Sequence, residues 1–532
     1  MFQTRAALGL PIALAMTVFF FVACFGTGVS TASPSPSPDS ASIAKKKQGG
    51  KAKAPVKRRA VIPSTGRIFG WIKDLTSLGY RRTGTPGGRR AAVYVRDRFK
   101  RFGLKDVSFQ TARSYSWKAR NSSLSIGGVK QPSFPIAHSV TGGTRVGDFG
   151  TGKNGLTAGI VDVGDGTTAD FAGKDIAGKV VLFDLRFLNL PIPLFRMLSD
   201  YYYDPRATIS DSDALPQPYI TNFVDVAQRA MDGGAAGVVG VLADYFDSDK
   251  YYNENYRRLD MDIPGVWVTR NVGASIRARL AENPTAAANL RLNVSRGPVQ
   301  ARNVVGFLPG RSKETILISS HHDAVFDGAV EDASGTAEVL ALAKYFATLP
   351  KRKRQKSLMF ATMDSHFTGY QAHMAFTDKY ILGVPPAKRP VANVAIEHIG
   401  RQGLVENGKL KMTAESEVQG VLHNVGPKPL EAIKQAIERN RVDRTVVLPA
   451  GVFGGDGIPT DASFSYAAGV PVISLISGPI YLYDKQDTID KIHKPHLRPV
   501  AKAFAEITED LGPLTREEIV GSPPGPTPAM GR

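Results

Sequence analysis

Three apolar, β-favouring runs in this chain each stop at a cluster of ionisable side chains, and that pattern restricts the fold more than any other feature. Ile316, Leu317 and Ile318 lead into His321, His322 and Asp323. Ser357 to Met363 leads into Asp364, Ser365 and His366, and Val391 to Ile396 leads into Glu397 and His398. After the first run a short loop brings Glu331 and Asp332, and Asp332-Ala-Ser-Gly opens an apolar-periodic helix through Val339, Leu340, Ala343 and Phe346. This order puts metal-capable side chains at the carboxyl edge of an α/β sheet, where such sheets bind ligands. Five of the nine histidines lie between His321 and His398, a concentration that an even spread would not give. One histidine alone reads as a satisfied core residue. Three successive strand ends read as one shared polar or metal site.

Composition sets the outer limits. A chain of 532 residues holds two or three domains with full cores, and 42% hydrophobic with 22% charged residues is ordinary for a globular protein. The net charge of +19 says little about nucleic acid, because Lys45 to Arg59 alone supplies eight positive charges and no negative one. No aromatic-interleaved basic motif accompanies it. The sole cysteine, Cys24, excludes an intrachain disulfide and any cysteine metal site.

Cys24 lies within the apolar segment Ala6 to Val29, which follows Arg5 and predicts an export signal or membrane anchor. Phe21-Val22-Ala23-Cys24 resembles a lipoprotein cleavage box with Phe21 in place of the usual leucine, and Ser30-Thr31-Ala32 offers an ordinary signal-peptidase site. An uncleaved helix holding Cys24 as a small apolar residue is the third reading. The expected location is the cell envelope, either anchored or secreted.

Residues 1–32 therefore form the targeting segment and 33–61 a disordered Ser/Pro-rich, then Lys-rich, stalk. Folding starts near Ile62, with Ile68, Ile72 and Leu75 at helical spacing and a second helix from Ala91 to Phe102. Leu104 to Gln110 reads as a strand. Residues 121–298 change character to short strands and glycine turns, with one clear helix from Asn222 to Asp232, and predict a separate β-rich lobe. Its aromatic clusters, Tyr201 to Tyr203 and Tyr251, Tyr252 and Tyr256, sit in loop-like surroundings and read as core-edge caps before cleft-lining groups. An α/β domain comprises 62–120 and 299–511, closed by a helix with Val500, Phe504, Ile507 and Leu511 on one face. The Pro/Gly-rich 512–532 reads as a disordered tail.

Taken in order, Arg82-Thr-Gly-Thr-Pro-Gly, Gly178-Lys-Val-Val, Asn303-Val-Val-Gly, His321-x-Asp323, Asp332-Ala-Ser-Gly and Asp487-Thr488 resemble the co-catalytic zinc exopeptidases. That family includes secreted bacterial aminopeptidases, glutamate carboxypeptidase and the transferrin receptor. The resemblance runs from about Ile68 to Leu511 and implies a mixed-sheet α/β domain, the inserted lobe being similar to a protease-associated domain. It also implies a metal site that departs from the family's pair of zinc ions. His321 matches the first ligand and Asp323 its orienting partner. Glu331 stands for the bridging Asp, Glu397 for the second Asp, and His366-Phe367 for the base and ligand Glu pair. Tyr483 stands where the late His belongs.

Phe367 cannot coordinate and Tyr483 is a poor zinc ligand, so one half of the pair is lost. The other half keeps donors in His321, Glu331 and Glu397, which implies one zinc ion per chain. His366 occupies the general-base position, and Asp364 is the nearest group in sequence to orient it. Should the mapping fail, Asp332, Asp364, His322 and His398 are the next donors. The implied activity is hydrolysis of peptide or related amide bonds. A catalytically inactive cell-surface binding protein on the same scaffold is the alternative.

Overall fold

The computed structural model describes residues 60–140, 145–211, 214–253, 261–453 and 457–520. Cys24, the targeting segment, nearly all of the stalk, Tyr256 and residues 521–532 lie outside the described residues. None of the described helices is long and apolar enough to cross a membrane.

The described residues open with two helices, α1 (Thr65–Thr76) and α2 (Pro86–Phe102). Helix α2 starts five residues before the apolar periodicity, because Thr85 caps it by accepting from Gly88 N and Pro86 occupies its first position. Strand β1 (Lys105–Ile126) follows and is three times the length its apolar stretch suggests. Then come β2 (Leu156–Asp162), β3 (Val180–Asp184), β4 (Tyr201–Tyr203), helix α3 (Phe223–Asp232), β5 (Gly237–Leu242), β6 (Gly265–Thr269), helix α4 (Arg270–Glu282) and β7 (Ala287–Leu308). The second half contributes β8 (Thr315–His321), α5 (Gly335–Thr348), β9 (Ser357–Met363), α6 (Gln371–Thr377), β10 (Ala392–Ile396), β11 (Gln419–His423), α7 (Pro427–Asn440), β12 (Thr445–Pro449), β13 (Val472–Ser477), α8 (Lys494–Asp510) and α9 (Arg516–Val520).

In the α/β domain the strands run in the order β7, β9, β8, β10, β13, β11, β12, β4. Strands β9, β8, β10 and β13 are mutually parallel, so their carboxyl ends share one edge. Ile316 and Ile318 belong to one core together with Leu340 and Phe504, while Leu317 belongs to another with Met359, Ala361 and Phe376. Both faces of β8 are therefore buried, which is why its sequence is a continuous apolar run and not an alternation.

The inserted lobe has its own parallel strands β2, β3, β5 and β6 and its own core, built from Val180, Leu182, Val239, Val241, Val266 and Ile276. The expected boundaries at 121 and 298 fall inside two long strands: β1 and β7 pair antiparallel from Lys105–Phe307 to Ile126–Ala288 and run through both domains. The lobe also reaches the far edge of the main sheet, where Tyr201 to Tyr203 pair with Thr445 to Val447. The loop-like surroundings expected there are a strand, formed because an unpaired edge was available. The tail expected at 512–532 is ordered at its start, since α9 packs on α7 and buries Ile519 completely.

Candidate metal centre

The shared carboxyl edge gathers the ionisable groups that end the three runs. His321 ends β8, His366 follows β9 and Glu397 with His398 follows β10. Glu331 arrives on the loop before α5, which is clamped from two sides. The buried Arg81 guanidinium donates to the carbonyls of His322, Asp327 and Gly328, and Asp487 accepts from Val330 N at 2.8 Å and Glu331 N at 2.9 Å. The Asp-Thr motif near the end of the chain thus fixes the backbone of Glu331. Asp332 is engaged beside the cluster: it accepts from Gly335 N at 2.9 Å, from His398 N at 3.2 Å and from Ser320 Oγ, and its Oδ2 lies 4.0 Å from His321 Nε2. A Cβ on Gly335 would lie 2.2 Å from the Ile396 carbonyl, so the glycine is required by the close approach of α5 to β10.

Within the cluster the donor atoms face one another. His321 Nε2 lies 3.2 Å from Glu331 Oε1 and His366 Nε2 lies 3.6 Å from the same oxygen. His398 Nε2 is in close contact with Glu331 Oε2. None of these contacts is aligned as a hydrogen bond, and His321 Nε2, His398 Nε2, both Glu331 oxygens and Glu397 Oε2 are buried without a hydrogen-bond partner. The opposite ring nitrogens are engaged: His321 Nδ1 donates to the Asp323 carbonyl at 3.0 Å and His398 Nδ1 donates to the Ser477 carbonyl at 2.8 Å. Each ring therefore turns its Nε2 inward, the orientation of a metal-ligating histidine. His321, Glu331 and His366 form one set of mutually close donor atoms, His321, Glu397 and His398 a second, and His366, His373 and Asp461 a third.

His366 is the pivot of the site. Its Nδ1 donates to Asp461 Oδ1 at 2.9 Å, its Nε2 meets the Tyr370 hydroxyl at 3.2 Å, and its ring stacks on His321 with centroids 4.1 Å apart. The orienting carboxylate is Asp461 and not Asp364, which instead accepts from Thr83 Oγ1, Arg302 N and Ser365 N. Asp461 also approaches His373 Nε2 at 3.2 Å, and its own N–H donates to Glu397 Oε1 at 3.1 Å. Asp323 reaches His321 Nδ1 through its carbonyl at 3.0 Å and its carboxylate Oδ1 at 3.5 Å, while Oδ2 takes Thr83 Oγ1 at 3.3 Å. His322 points to Thr362 Oγ1, and burial lowers its pKa to about 4.

Asp461 and His373 were not among the expected site residues. Asp461 lies in a polar loop that no apolar run announces, and His373 lies on α6, seven residues past the β9 cluster.

Electrostatics make the cluster costly as it stands. Burial opposes ionisation of Glu331, yet His398 and His321 outweigh it and hold the carboxyl far below its usual range. Burial would lower His398, but the Glu331 carboxylate pushes it up to about 10. Burial and the neighbouring Asp461 drive Glu397 well above the ordinary carboxylate range. So many buried carboxylates call for a compensating cation. Inward-facing imidazole nitrogens and unpaired carboxylate oxygens fit a zinc ion in donor chemistry. Phe367 and Tyr483, the two positions at which the resemblance implies lost ligands, meet edge to face at 5.9 Å, and Tyr252 from the lobe packs on Phe367 at 5.7 Å.

Residues 303–508 match the model of peptidase family M28. No curated protein matches the chain in sequence. Among solved structures, the peptidase M28 precursor from Shewanella amazonensis is 18% identical with a TM-score of 0.64, covering 86% of this chain and 96% of that one. The aminopeptidase from Aneurinibacillus sp. strain AM-1 is 20% identical with a TM-score of 0.56, covering 84% and 93%. The zinc aminopeptidase from Bacillus subtilis is 16% identical with a TM-score of 0.58, covering 87% and 99%. At these identities the likeness is one of fold. That fold is the mixed-sheet α/β architecture of the zinc exopeptidases, with a β-rich insertion.

Proposed function

We propose that the chain is an exported, metal-dependent exopeptidase cleaving peptide or related amide bonds, with one zinc ion held by His321, Glu331 and Glu397 and supplemented by His398. The observation that carries this reading is that His321 brings its buried donor atom close to Glu331 in one set and to Glu397 and His398 in another, at one sheet edge. When bound, the ion would polarise the scissile carbonyl and lower the pKa of a water beside it.

The chain's own residues do the rest. Asp461 holds the Nδ1 proton of His366 and so leaves the Nε2 lone pair directed toward Glu331 and Tyr370. In that state His366 accepts a proton from the attacking water and later returns it to the leaving amine. The Tyr370 hydroxyl, which meets the same nitrogen at 3.2 Å, gives way to that water when His366 acts. Export rests on the apolar segment Ala6 to Val29, and acyl anchoring at Cys24 or cleavage after Ala32 would place the enzyme in the cell envelope.

A panel of fluorogenic aminoacyl and acyl-amino-acid substrates, run with and without chelator, tests the proposal. Turnover that chelator abolishes and zinc restores supports it; absent or chelator-insensitive turnover by zinc-loaded protein sinks it. One observation favours a second reading, a non-catalytic binding protein: His321, Glu331 and Glu397 are 0% exposed and His366 and His398 only 2%. The same panel separates the two.

A further inference from the structure

Beside the zinc donors lies a second set of metal-capable groups that the proposed chemistry uses only in part. His366, His373 and Asp461 each offer one donor atom, and the three atoms lie within 4.8 Å of one another. All three side chains are buried. They come from separate places in the fold: His366 from the turn after β9, His373 from α6 and Asp461 from the loop between β12 and β13. Neither His373 nor Asp461 stands at a ligand position that the zinc exopeptidase resemblance implies.

His373 is the informative member. Among the described residues neither of its ring nitrogens has a hydrogen-bond partner, and Asp461 Oδ2 has none either. Yet His373 Nε2 faces that oxygen at 3.2 Å. Polar atoms left unmet inside a protein cost free energy until something binds them. Aromatic neighbours hold the imidazole in place: Tyr370 meets it edge to face at 5.1 Å and Phe464 lies against it at 5.4 Å. Two imidazoles and one carboxylate are donors that suit zinc. This set has a single carboxylate where Glu331 and Glu397 supply two. An ion entering it must also break the 2.9 Å hydrogen bond from His366 Nδ1 to Asp461 Oδ1. Both differences make it the weaker centre.

From these observations we infer a second, weaker zinc site at His366, His373 and Asp461 whose occupancy switches the enzyme off. The inference rests on the peptidase reading above and names a regulation of that site. As the ion binds His366 Nδ1, the proton there leaves, one is taken up at Nε2, and the ring stays neutral. Nε2 then carries a hydrogen and no longer accepts one from the attacking water. Desalting strips the weaker ion, so protein purified without added zinc carries only the one held by His321, Glu331 and Glu397.

The test titrates zinc calorimetrically into full-length protein that already carries one ion per chain. The wild type should take up one further ion, and its Tm should rise with the added zinc, because the ion binds the folded state. His373→Gln and Asp461→Asn should each weaken that uptake more than about 100-fold, beyond the usual cost of losing an outer-shell partner, with the first ion retained. Turnover of the wild type should fall as the further ion binds, and over the same range turnover of His373→Gln should hold its starting level. No further uptake by the wild type overturns the inference whatever the variants do, and uptake that survives either variant overturns it as well. Uptake with undiminished wild-type turnover overturns the switch. Uptake that both variants abolish, in a protein without turnover at any zinc level, would sink the peptidase reading and leave the metal site standing.

Discussion

Asp461 accepts the Nδ1 proton of His366 at 2.9 Å across 95 residues of sequence, and through that bond the imidazole turns its other nitrogen toward Glu331. The pair is buried, and a second imidazole, His373, stands on the other carboxylate oxygen. Removing the carboxylate charge while keeping the shape should release the ring without disturbing the zinc donors. Asp461→Asn is expected to lower kcat about 10–100-fold, the usual cost of losing a partner that orients a site residue, with zinc still at one per chain. Steady-state kinetics with elemental analysis of the same sample checks this; loss of zinc together with activity would make Asp461 a ligand instead.

The loop that presents Glu331 depends on Asp487, which takes both the Val330 and the Glu331 N–H groups. Asp487→Ala leaves two buried donors unmet and frees the carboxylate to move. Zinc affinity, read by competition with a chromophoric chelator, should fall about 10–100-fold. An unchanged affinity would show that the Arg81 clamp suffices alone.

Phe367 and Tyr483, which the zinc exopeptidase resemblance puts at two ligand positions, pack as an edge-to-face pair. Phe367→Ala should cost about 3–5 kcal/mol in unfolding free energy, as large-to-small changes in a core do, yet leave zinc content unchanged. The double change Phe367→Glu with Tyr483→His should raise zinc toward two per chain. Chemical denaturation and elemental analysis read the two effects separately, and a fall in zinc on Phe367→Ala would contradict the assignment.

Glu338 gives a pH prediction away from the cluster. Its side chain on α5 is fully buried, both oxygens lack a partner, and burial alone drives its pKa well above the ordinary 4.5. Because the folded value is raised, the stability linked to the protonated form is complete below about pH 4.5 and is lost as pH rises toward the folded value. The Tm difference between Glu338→Gln and wild type should therefore grow in favour of the variant from pH 5 to pH 8. A constant difference would mean that Glu338 finds a partner in solution.

The legible parts of this molecule were those written in local periodicity. Ile68, Ile72 and Leu75 mark α1 because one helix face is buried, and the runs before His321, His366 and Glu397 mark strands because both sheet faces are covered. Ligand-capable residues at those strand ends were legible for the same reason. What escaped depends on pairing over long distance. Tyr201 to Tyr203 become a strand only because β12 offers an edge, and β1 extends to Ile126 only because β7 runs beside it. Helix α4 escaped because Arg270 to Glu282 buries only Gly273 and Ile276, too little to show an apolar stripe. Asp461 reaches His366 from a loop between β12 and β13, and sequence spacing carries no record of that approach. Asp364, two residues away, was the nearer candidate and serves Thr83 and Arg302 instead.

Zinc content of purified full-length protein and its ligand variants, measured by elemental analysis, tests the central claim most directly. The wild type should carry one zinc per chain, and Glu331→Ala and Glu397→Ala should each carry essentially none, because each removes a first-sphere carboxylate from the site. His366→Ala should retain the ion and lose turnover. Two zinc ions in the wild type, or a full complement after Glu397→Ala, would contradict a single centre built on His321, Glu331 and Glu397.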